Sequence, residues 1–236
     1  MLNSCNSKEI ILLEEPGRLN DVNYFKHFAY SFSYNEKTEQ SNWVAYELNI
    51  EMLNSNFERA NRFKIDTSVI SGTSNDLDYK GSGYDRGHLV PARDMTWDEK
   101  AIQESFFYSN VSPQLPTFNR GKWKQLESLV RKLVFEYENL YVVCGPLFNN
   151  TNKCIGENNV VIPTHFFKTL LVYNDDYQQS IGFIFPHQKC DGNLSNYVIS
   201  IDSVEKITRL DFYHKLPNYI EELIESKIDT SFWMLN

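Results

Sequence analysis

The most informative stretch of the chain is residues 81–127, which opens with Gly81-Ser82-Gly83-Tyr84-Asp85-Arg86-Gly87-His88. Its glycines favour a flexible or tightly turned backbone. Because side chains alternate along a strand, Arg86 and His88 would share one face. The pair would place a phosphate-binding guanidinium beside a titratable imidazole. An isolated Arg-x-His is better explained by an exposed arginine and a half-buried histidine. Whether the pair is functional therefore depends on the neighbouring sequence.

Amide and basic residues crowd the second half of this stretch. Asn110, Gln114 and Asn119 supply amide groups within one segment. Residues 116–132 contain five basic residues and one acidic residue, a net charge of +4 on a chain whose net charge is −8. Such a run ordinarily forms a solvated helix face. Arg120, however, falls at the start of a predicted helix, where free backbone N–H groups and the helix dipole already favour an anion.

Periodicity indicates a mixture of helices and strands. Apolar positions at steps of three and four from Trp123 to Val134 predict an amphipathic helix. Shorter helices are predicted at 98–107, 204–210 and 219–228, and strands at 43–48, 84–90, 140–144, 160–173 (broken at Pro163), 180–185 and 197–201. Residues 109–120, rich in Asn, Ser and Pro, are predicted to form an irregular loop. Because helices and strands do not alternate regularly and no linker divides the chain, we predict one α+β domain over residues 1–236.

Composition places the chain among globular proteins. Of its 236 residues, 42% are hydrophobic and 23% are charged, which excludes the disordered and collagen-like classes. No apolar run approaches the roughly 20 residues that a membrane-spanning helix needs. The net charge of −8 argues on average against a nucleic-acid partner, but a local basic patch can overturn that inference.

The cysteines bear on redox and metal chemistry. Cys144 lies in an apolar run and is predicted to be a buried free thiol. Cys154 and Cys190 lie in polar segments, and the sequence allows two alternatives for them: a disulfide between the two, or two free thiols. His187 and Cys190 have the spacing of a zinc ligand pair, but no second pair with standard spacing accompanies them, which disfavours a zinc site.

Several motifs, in a fixed order, resemble those of one enzyme family. They are residues 85–88, 109–114, Asn119 with Trp123, and residues 126–127, 144–148, 161–168 and 201–212. Together they resemble the DNA/RNA non-specific endonucleases, which include secreted bacterial sugar-nonspecific nucleases and mitochondrial endonuclease G. The resemblance covers residues 43–216. It implies the ββα-metal (His-Me finger) nuclease fold, with a mixed or antiparallel sheet and helices on both sides.

The resemblance assigns roles in substrate binding and proton transfer. His88 would be the general base that deprotonates the attacking water, since an imidazole ordinarily titrates near neutral pH. Arg86 would hold or neutralise the scissile phosphate. Asn110 and Gln114 would position the loop or the nucleic-acid backbone, and Arg120 would bind substrate.

The resemblance also implies a metal ion. Asn119 would be the only protein ligand of a hydrated Mg²⁺, with Mn²⁺ as its substitute, because such ions prefer oxygen ligands and keep several waters. Glu127 lies eight residues further on, which is a rise of about 12 Å along a continuous helix. Both residues can serve one ion only if Asn119 stands at the helix start and Glu127 reaches the ion through water. A surface salt bridge from Glu127 to Lys124 or Arg131 is the structural alternative.

The predicted function is therefore that of a Mg²⁺-dependent hydrolase that cleaves phosphodiester bonds of DNA and RNA. Outside residues 116–132 the chain carries a net charge of −12, so a basic cleft would concentrate binding at the catalytic groove. A catalytically silent nucleic-acid-binding module on the same fold and a narrow-substrate phosphodiesterase are the alternatives. Besides DNA and RNA, the resemblance suggests a homodimer and a protein inhibitor as partners.

The expected location follows from the hazard of such an activity. A nuclease that cuts any sequence endangers its own genome, so export or confinement to a compartment is expected. Leu2-Asn3-Ser4-Cys5 loosely resembles the end of a bacterial lipoprotein signal. We expect an extracytoplasmic bacterial protein, periplasmic, lipid-anchored or secreted, with a mitochondrial location as the alternative that the family resemblance suggests.

Overall fold

A computed structural model describes residues 12–17, 23–58, 62–149 and 153–235. Its strands are β1 (Tyr24–Lys26), β2 (Ser31–Asn35), β3 (Gln40–Asn49), β4 (Asp85–His88), β5 (Val111–Gln114), β6 (Asn139–Leu147), β7 (Cys154–Ile155), β8 (Val160–Val161), β9 (His165–Tyr173), β10 (Gln178–Pro186) and β11 (Val198–Ile199). Its helices are α1 (Asp76–Tyr79), α2 (Glu99–Glu104), α3 (Pro116–Phe118), α4 (Lys124–Tyr137), α5 (Ile201–Thr208) and α6 (Asn218–Ser226). Short 3₁₀ turns cover Ile50–Leu53, Ala92–Met95, Tyr108–Asn110 and Leu194–Tyr197, and a π-helical turn covers Asn119–Trp123.

Seven strands form the central sheet in the order β1-β2-β3-β6-β9-β10-β11, and every neighbouring pair is antiparallel. Successive side chains of its central strands point to opposite faces. Val142 and Leu170 pack in one apolar cluster with residues of α4. Val143 and Leu171 pack in a second cluster with residues of α5 and α6. Helices therefore cover both faces of the sheet, and the predicted α+β class is confirmed.

The amphipathic helix predicted from the apolar periodicity is confirmed as α4. Its buried face consists of Leu126, Leu129, Val130, Leu133, Val134 and Tyr137. The π-helical turn before it departs from helical backbone angles at Gly121, with φ −99° and ψ −115°. Asn119 therefore stands ahead of α4, outside its regular turns.

The irregular loop predicted for residues 109–120 is wrong. This segment contains β5, which pairs antiparallel with β4 in a two-stranded sheet. The Gln114 amide is buried without a hydrogen-bond partner among the described residues, but other polar groups of the segment are bonded inside the protein: Ser112 Oγ donates to Gln40 Oε1, and Ser41 Oγ donates to the Ser109 carbonyl, both at 2.6 Å. A polar strand can be buried when such bonds form, and composition alone does not reveal them.

The predicted site residues lie on strands β4 and β5, on the 3₁₀ turn before β5, on the π-helical turn and on helix α4. The register places His88 of β4 opposite Val111 of β5. Gly81 and Gly83 precede β4 with φ of +72° and +85°, a left-handed conformation that glycine adopts without steric cost. The strand predicted at 197–201 is confined to β11, because Ser200 caps α5 by accepting from the Ser203 backbone N–H.

The described cysteines carry neither a disulfide nor a zinc site. Cys144, Cys154 and Cys190 are free thiols. Both ring nitrogens of His187 are engaged, since Nε2 accepts from the Leu115 N–H at 2.7 Å and Nδ1 lies 2.8 Å from the Pro163 carbonyl oxygen. Zinc binding at His187 would require breaking these contacts.

Two expectations concern the membrane. The lipoprotein-like segment at residues 2–5 lies outside the described residues. Across the described ranges, none of the helices has the length and hydrophobicity that crossing a lipid bilayer requires.

Candidate active site

A cleft of about 750 Å³ opens between β4, the π-helical turn and α4. Five of the residues singled out from the sequence line it: Arg86, His88, Asn119, Arg120 and Glu127. Arg93, Lys124 and Arg131 also line the cleft, so its walls carry five basic side chains against the two carboxylates of Asp85 and Glu127. The fold thus creates a basic groove on an acidic chain, as predicted.

His88 is confined between two aromatic rings. Its ring centroid lies 5.0 Å from that of Phe63 and 4.8 Å from that of Phe106, which it meets edge-on. Arg86, two residues earlier on β4, has its Cζ 4.8 Å from the centre of the same Phe63 ring. Because both residues contact Phe63, they share one side of the strand, as the alternation predicts. Sequence reasoning misses Phe63, because a lone phenylalanine between Arg62 and Lys64 carries no periodic signal.

Arg86 is held at the rim of the cleft by Asp76 of α1. Its Nη1 donates to Asp76 Oδ1, and Tyr108 OH donates to the same oxygen at 2.6 Å. The hydrogen bond from Tyr108, followed by the charge of Arg86, lowers the pKa of Asp76 below its ordinary value. Asp76 therefore stays ionised and is the anion bound to the Arg86 guanidinium in this structure.

Asp85 organises the residues of the π-helical turn that line the same cleft. Asn119 Nδ2 donates to Asp85 Oδ2 at 2.9 Å. Arg120 donates twice to the same carboxylate, through Nε at 2.9 Å and Nη2 at 2.7 Å. Partial burial raises the pKa of Asp85, but the bonds from Arg120 and Asn119 outweigh it and leave the pKa below its ordinary value. Asp85 belongs to the motif quoted first, yet the motif alone does not indicate these partners, which lie 34 and 35 residues away.

Two consequences follow from the bonds to Asp85. Since the Asn119 amide nitrogen is turned to a carboxylate, its carbonyl oxygen Oδ1 is the atom left to bind a cation. Arg120, predicted to bind substrate, is exposed and lies in the cleft, but here its guanidinium is bound to Asp85. A phosphate that contacts Arg120 would therefore contact a guanidinium that is already paired with Asp85.

Glu127 faces the cleft from α4. Burial raises the pKa of its carboxyl to about 7, with Asp94 adding to the rise and Lys168 and Arg131 opposing it. The alternative surface salt bridge is not formed with Arg131, whose Nη1 is bound to Asp94 Oδ1 at 2.7 Å. Nor does Lys124, within the described part of the chain, make an ion pair with Glu127.

Buried charges lie beneath Glu127. The ion pair between Asp94 and Arg131 leaves Asp94 fully buried. Lys168 of β9 is also fully buried, with its Nζ 4.6 Å from the centre of a Trp123 ring. Asp94 and Lys168 come from segments distant from α4 in the sequence, so no local pattern indicates that their charges meet at Glu127.

The expected contact of Asn110 and Gln114 with the nucleic-acid backbone is wrong for this conformation, because both side chains are fully buried. Asn110 Oδ1 accepts from the Val90 N–H at 2.8 Å, while its Nδ2 donates to the Val90 and Ser105 carbonyls at 3.0 and 2.8 Å. These contacts fit the other predicted role, that of positioning the chain. Gln114 packs against Gly87 so closely that a Cβ there would lie 2.2 Å from Gln114 Cδ.

Comparison with known proteins identifies the family. The family model of the DNA/RNA non-specific endonucleases matches residues 9–219. The chain is 35% identical to nuclease C1 of Cunninghamella echinulata var. echinulata over 230 residues, which cover 90% of each chain. It is 34% identical to mitochondrial endonuclease G of Homo sapiens over 207 residues, which cover 81% of this chain and 69% of that relative. A crystal structure of an EndoG/EndoGI complex matches with a TM-score of 0.77 and 31% identity, covering 83% of this chain and 87% of that chain. The chain therefore belongs to the DNA/RNA non-specific endonucleases, metal-dependent hydrolases of the phosphodiester bonds of nucleic acids.

Proposed function

We propose that this endonuclease cleaves DNA and RNA with His88 as the general base, Arg86 as the phosphate ligand and Asn119 as the protein ligand of Mg²⁺. The observation that carries the proposal is that these three residues and Glu127 line one cleft. The excess of basic side chains in that cleft suits a substrate held through its phosphates, whatever its base sequence or sugar.

In this proposal His88 takes a proton from the attacking water. Phe63 and Phe106 restrict the imidazole ring, so little further ordering is needed when substrate binds. Asn110 secures the backbone two residues after His88 through its bonds to Val90. A positioned general base contributes about 10²- to 10⁴-fold to the rate.

When substrate binds, Arg86 would release the Asp76 carboxylate and bind a phosphate of the substrate instead. Its side chain is 42% exposed and that of Asp76 is 59% exposed, and ion pairs this exposed contribute little to stability. A phosphodiester can therefore displace Asp76 at small cost. The Phe63 ring remains under the guanidinium, whose planar donors suit phosphate oxygens.

Asn119 and Glu127 fit a hydrated magnesium ion. Asn119 offers Oδ1, since its Nδ2 is bound to Asp85. This neutral oxygen is a ligand of the kind that Mg²⁺ prefers, waters would complete the coordination, and Mn²⁺ would substitute for Mg²⁺. When bound, the ion would stabilise negative charge on the phosphate and on the leaving oxygen. Glu127, which has no ion-pair partner among the described residues, is available to accept a hydrogen bond from water at the site.

Parallel digestion of plasmid DNA, single-stranded DNA and RNA, with Mg²⁺ or with EDTA, tests this function. We expect all three substrates to be cleaved with Mg²⁺ and none with EDTA. Cleavage of a single substrate would indicate a narrow phosphodiesterase, and binding without cleavage would indicate a silent module. The His88→Ala protein, purified identically, controls for contaminating nucleases.

Partners and location are proposed by analogy, each with its own test. In the matching crystal structure EndoG is inhibited by EndoGI, and we propose that a protein inhibitor can likewise block the cleft of this chain. A homodimer would appear as twice the chain mass in light scattering. We propose an extracytoplasmic location, with a mitochondrial one as the alternative that the name of the human relative suggests; cell fractionation distinguishes the two.

A further inference from the structure

Three acidic side chains meet between α5 and α6. Asp202 and Glu205 lie three residues apart on α5, and Glu225 lies on α6. One carboxylate oxygen from each lies within 4.8 Å of the other two. Helices α5 and α6 cover the sheet face opposite α4, so this group is separate from the cleft and the proposed mechanism does not use it.

A second observation distinguishes the group from a chance cluster of surface acids. Glu225 is only 6% exposed, and its Oε1 is buried without a hydrogen-bond partner in the described part of the chain. No lysine or arginine of the described residues forms an ion pair with any of the three. A buried carboxylate without a partner is costly. A proton on Glu225 or a cation bound by all three carboxylates lowers this cost, and the described chain supplies no cation of its own.

Further carboxylates add to the negative potential here. Burial, followed by the charges of neighbouring acids that include Asp211 and Glu221, raises the pKa of Glu225 to about 9. Glu205 is partly compensated, since its Oε1 accepts from the Phe212 N–H at 2.7 Å. A bound proton relieves the repulsion at one carboxylate, whereas a divalent cation relieves it at three.

We propose that Asp202, Glu205 and Glu225 bind a hard divalent cation, best matched by Ca²⁺, which ties α5 to α6. Carboxylate oxygens are the ligands that such cations prefer. Two ligands of one Ca²⁺, each at about 2.3–2.6 Å, lie no more than about 4.6–5.2 Å apart, and the three oxygens lie within 4.8 Å of one another. Because Ca²⁺ accepts irregular oxygen geometries whereas Mg²⁺ demands a near-ideal octahedron, Ca²⁺ suits three carboxylates held by two separate helices. Asp202 and Glu205 are half-buried, which leaves room for water to complete the coordination.

Thermal unfolding of the full chain, freed of metal with EDTA and then titrated with CaCl₂, tests the site without using nuclease activity. With Ca²⁺ at about 100 times its Kd, the Tm of the wild-type protein should rise by about 5–10 °C. Glu225→Gln keeps the size of the side chain but removes its charge, and should abolish the rise. Should that variant not fold, Asp202→Asn on the more exposed side of the group provides the same test.

Two control variants locate the ion. Glu222→Gln removes an exposed carboxylate from α6 outside the group and should keep the full rise in Tm. Asn119→Ala alters the cleft and should keep it as well. A wild-type Tm that does not respond to Ca²⁺, or an equal rise in Glu225→Gln, would overturn the proposal. A rise lost in Asn119→Ala would assign the ion to the cleft and would overturn it equally.

Discussion

Replacing Asp85 with alanine should impair the use of Mg²⁺ while leaving the fold intact. The substitution removes the bond of 2.9 Å that orients the Asn119 amide, and two bonds to the exposed Arg120. A hydrogen bond to a charged group contributes about 1.5–3 kcal/mol, and each 1.4 kcal/mol corresponds to about tenfold in an equilibrium. We therefore expect kcat/KM at limiting Mg²⁺ to fall by about 10- to 100-fold. The loss should shrink at high Mg²⁺, because the amide is misoriented and not removed.

The assay is the initial rate of plasmid nicking as a function of Mg²⁺ concentration. Asp85→Asn keeps an oxygen that can accept from Asn119 Nδ2, so its half-saturating Mg²⁺ should lie between those of the wild type and Asp85→Ala. The matched control is Asp76→Ala, which removes a carboxylate bound to Arg86 but does not touch Asn119. Its half-saturating Mg²⁺ should equal that of the wild type. Equal Mg²⁺ curves for wild type and a folded Asp85→Ala protein would refute the claim that Asp85 orients Asn119.

Other substitutions separate phosphate binding, ion binding and titration. Arg86→Ala should lower affinity and turnover together, and filter binding should show a salt dependence shallower by about one phosphate contact; an unaltered slope would make the arginine purely structural. Asn119→Ala should lose Mg²⁺-dependent cleavage. Asn119→Asp should bind Mg²⁺ at least as tightly as the wild type but cleave more slowly, because the added negative charge weakens the attraction of the ion for the phosphate. Identical Mg²⁺ titrations for the three proteins would place the ion elsewhere. Burial raises the pKa of Glu127 from 4.5 to about 7, so its protonation stabilises the folded state at low pH, and this contribution is lost as pH rises through about 7. Glu127→Gln should therefore gain stability over the wild type in urea unfolding at pH 8 and much less at pH 5; a difference that does not change with pH would contradict the shifted titration.

Periodicity and motif spacing predict the parts of the structure that depend on local sequence. Helix α4 buries the apolar positions that recur at steps of three and four from Leu126 onwards. Strand alternation correctly places Arg86 and His88 on one side of β4, where both meet Phe63. Spacing along a helix also indicates that Asn119 has to stand before α4 for Glu127 to reach the same ion, and the π-helical turn puts it there.

The remaining features depend on contacts between distant segments. Residues 111–114 have the polar composition of a loop, yet they form a buried strand because residues such as Gln40 supply hydrogen bonds from 72 positions away. A contact with the nucleic-acid backbone is one of two roles predicted for Asn110, but its amide is used to bind the chain after His88. The short strands β1 and β2 are not predicted from the sequence, because each contains too few residues to show a periodic pattern.

The general base is the central claim, and single-turnover cleavage and binding of one labelled duplex by the wild type and His88→Ala test it most directly. The imidazole moves a proton and contributes little to phosphate affinity, so the variant should keep the wild-type Kd. Its cleavage rate should fall by about 10²- to 10⁴-fold or more. An unchanged cleavage rate, or a loss of binding as large as the loss of cleavage, would contradict the assignment of His88 as the general base.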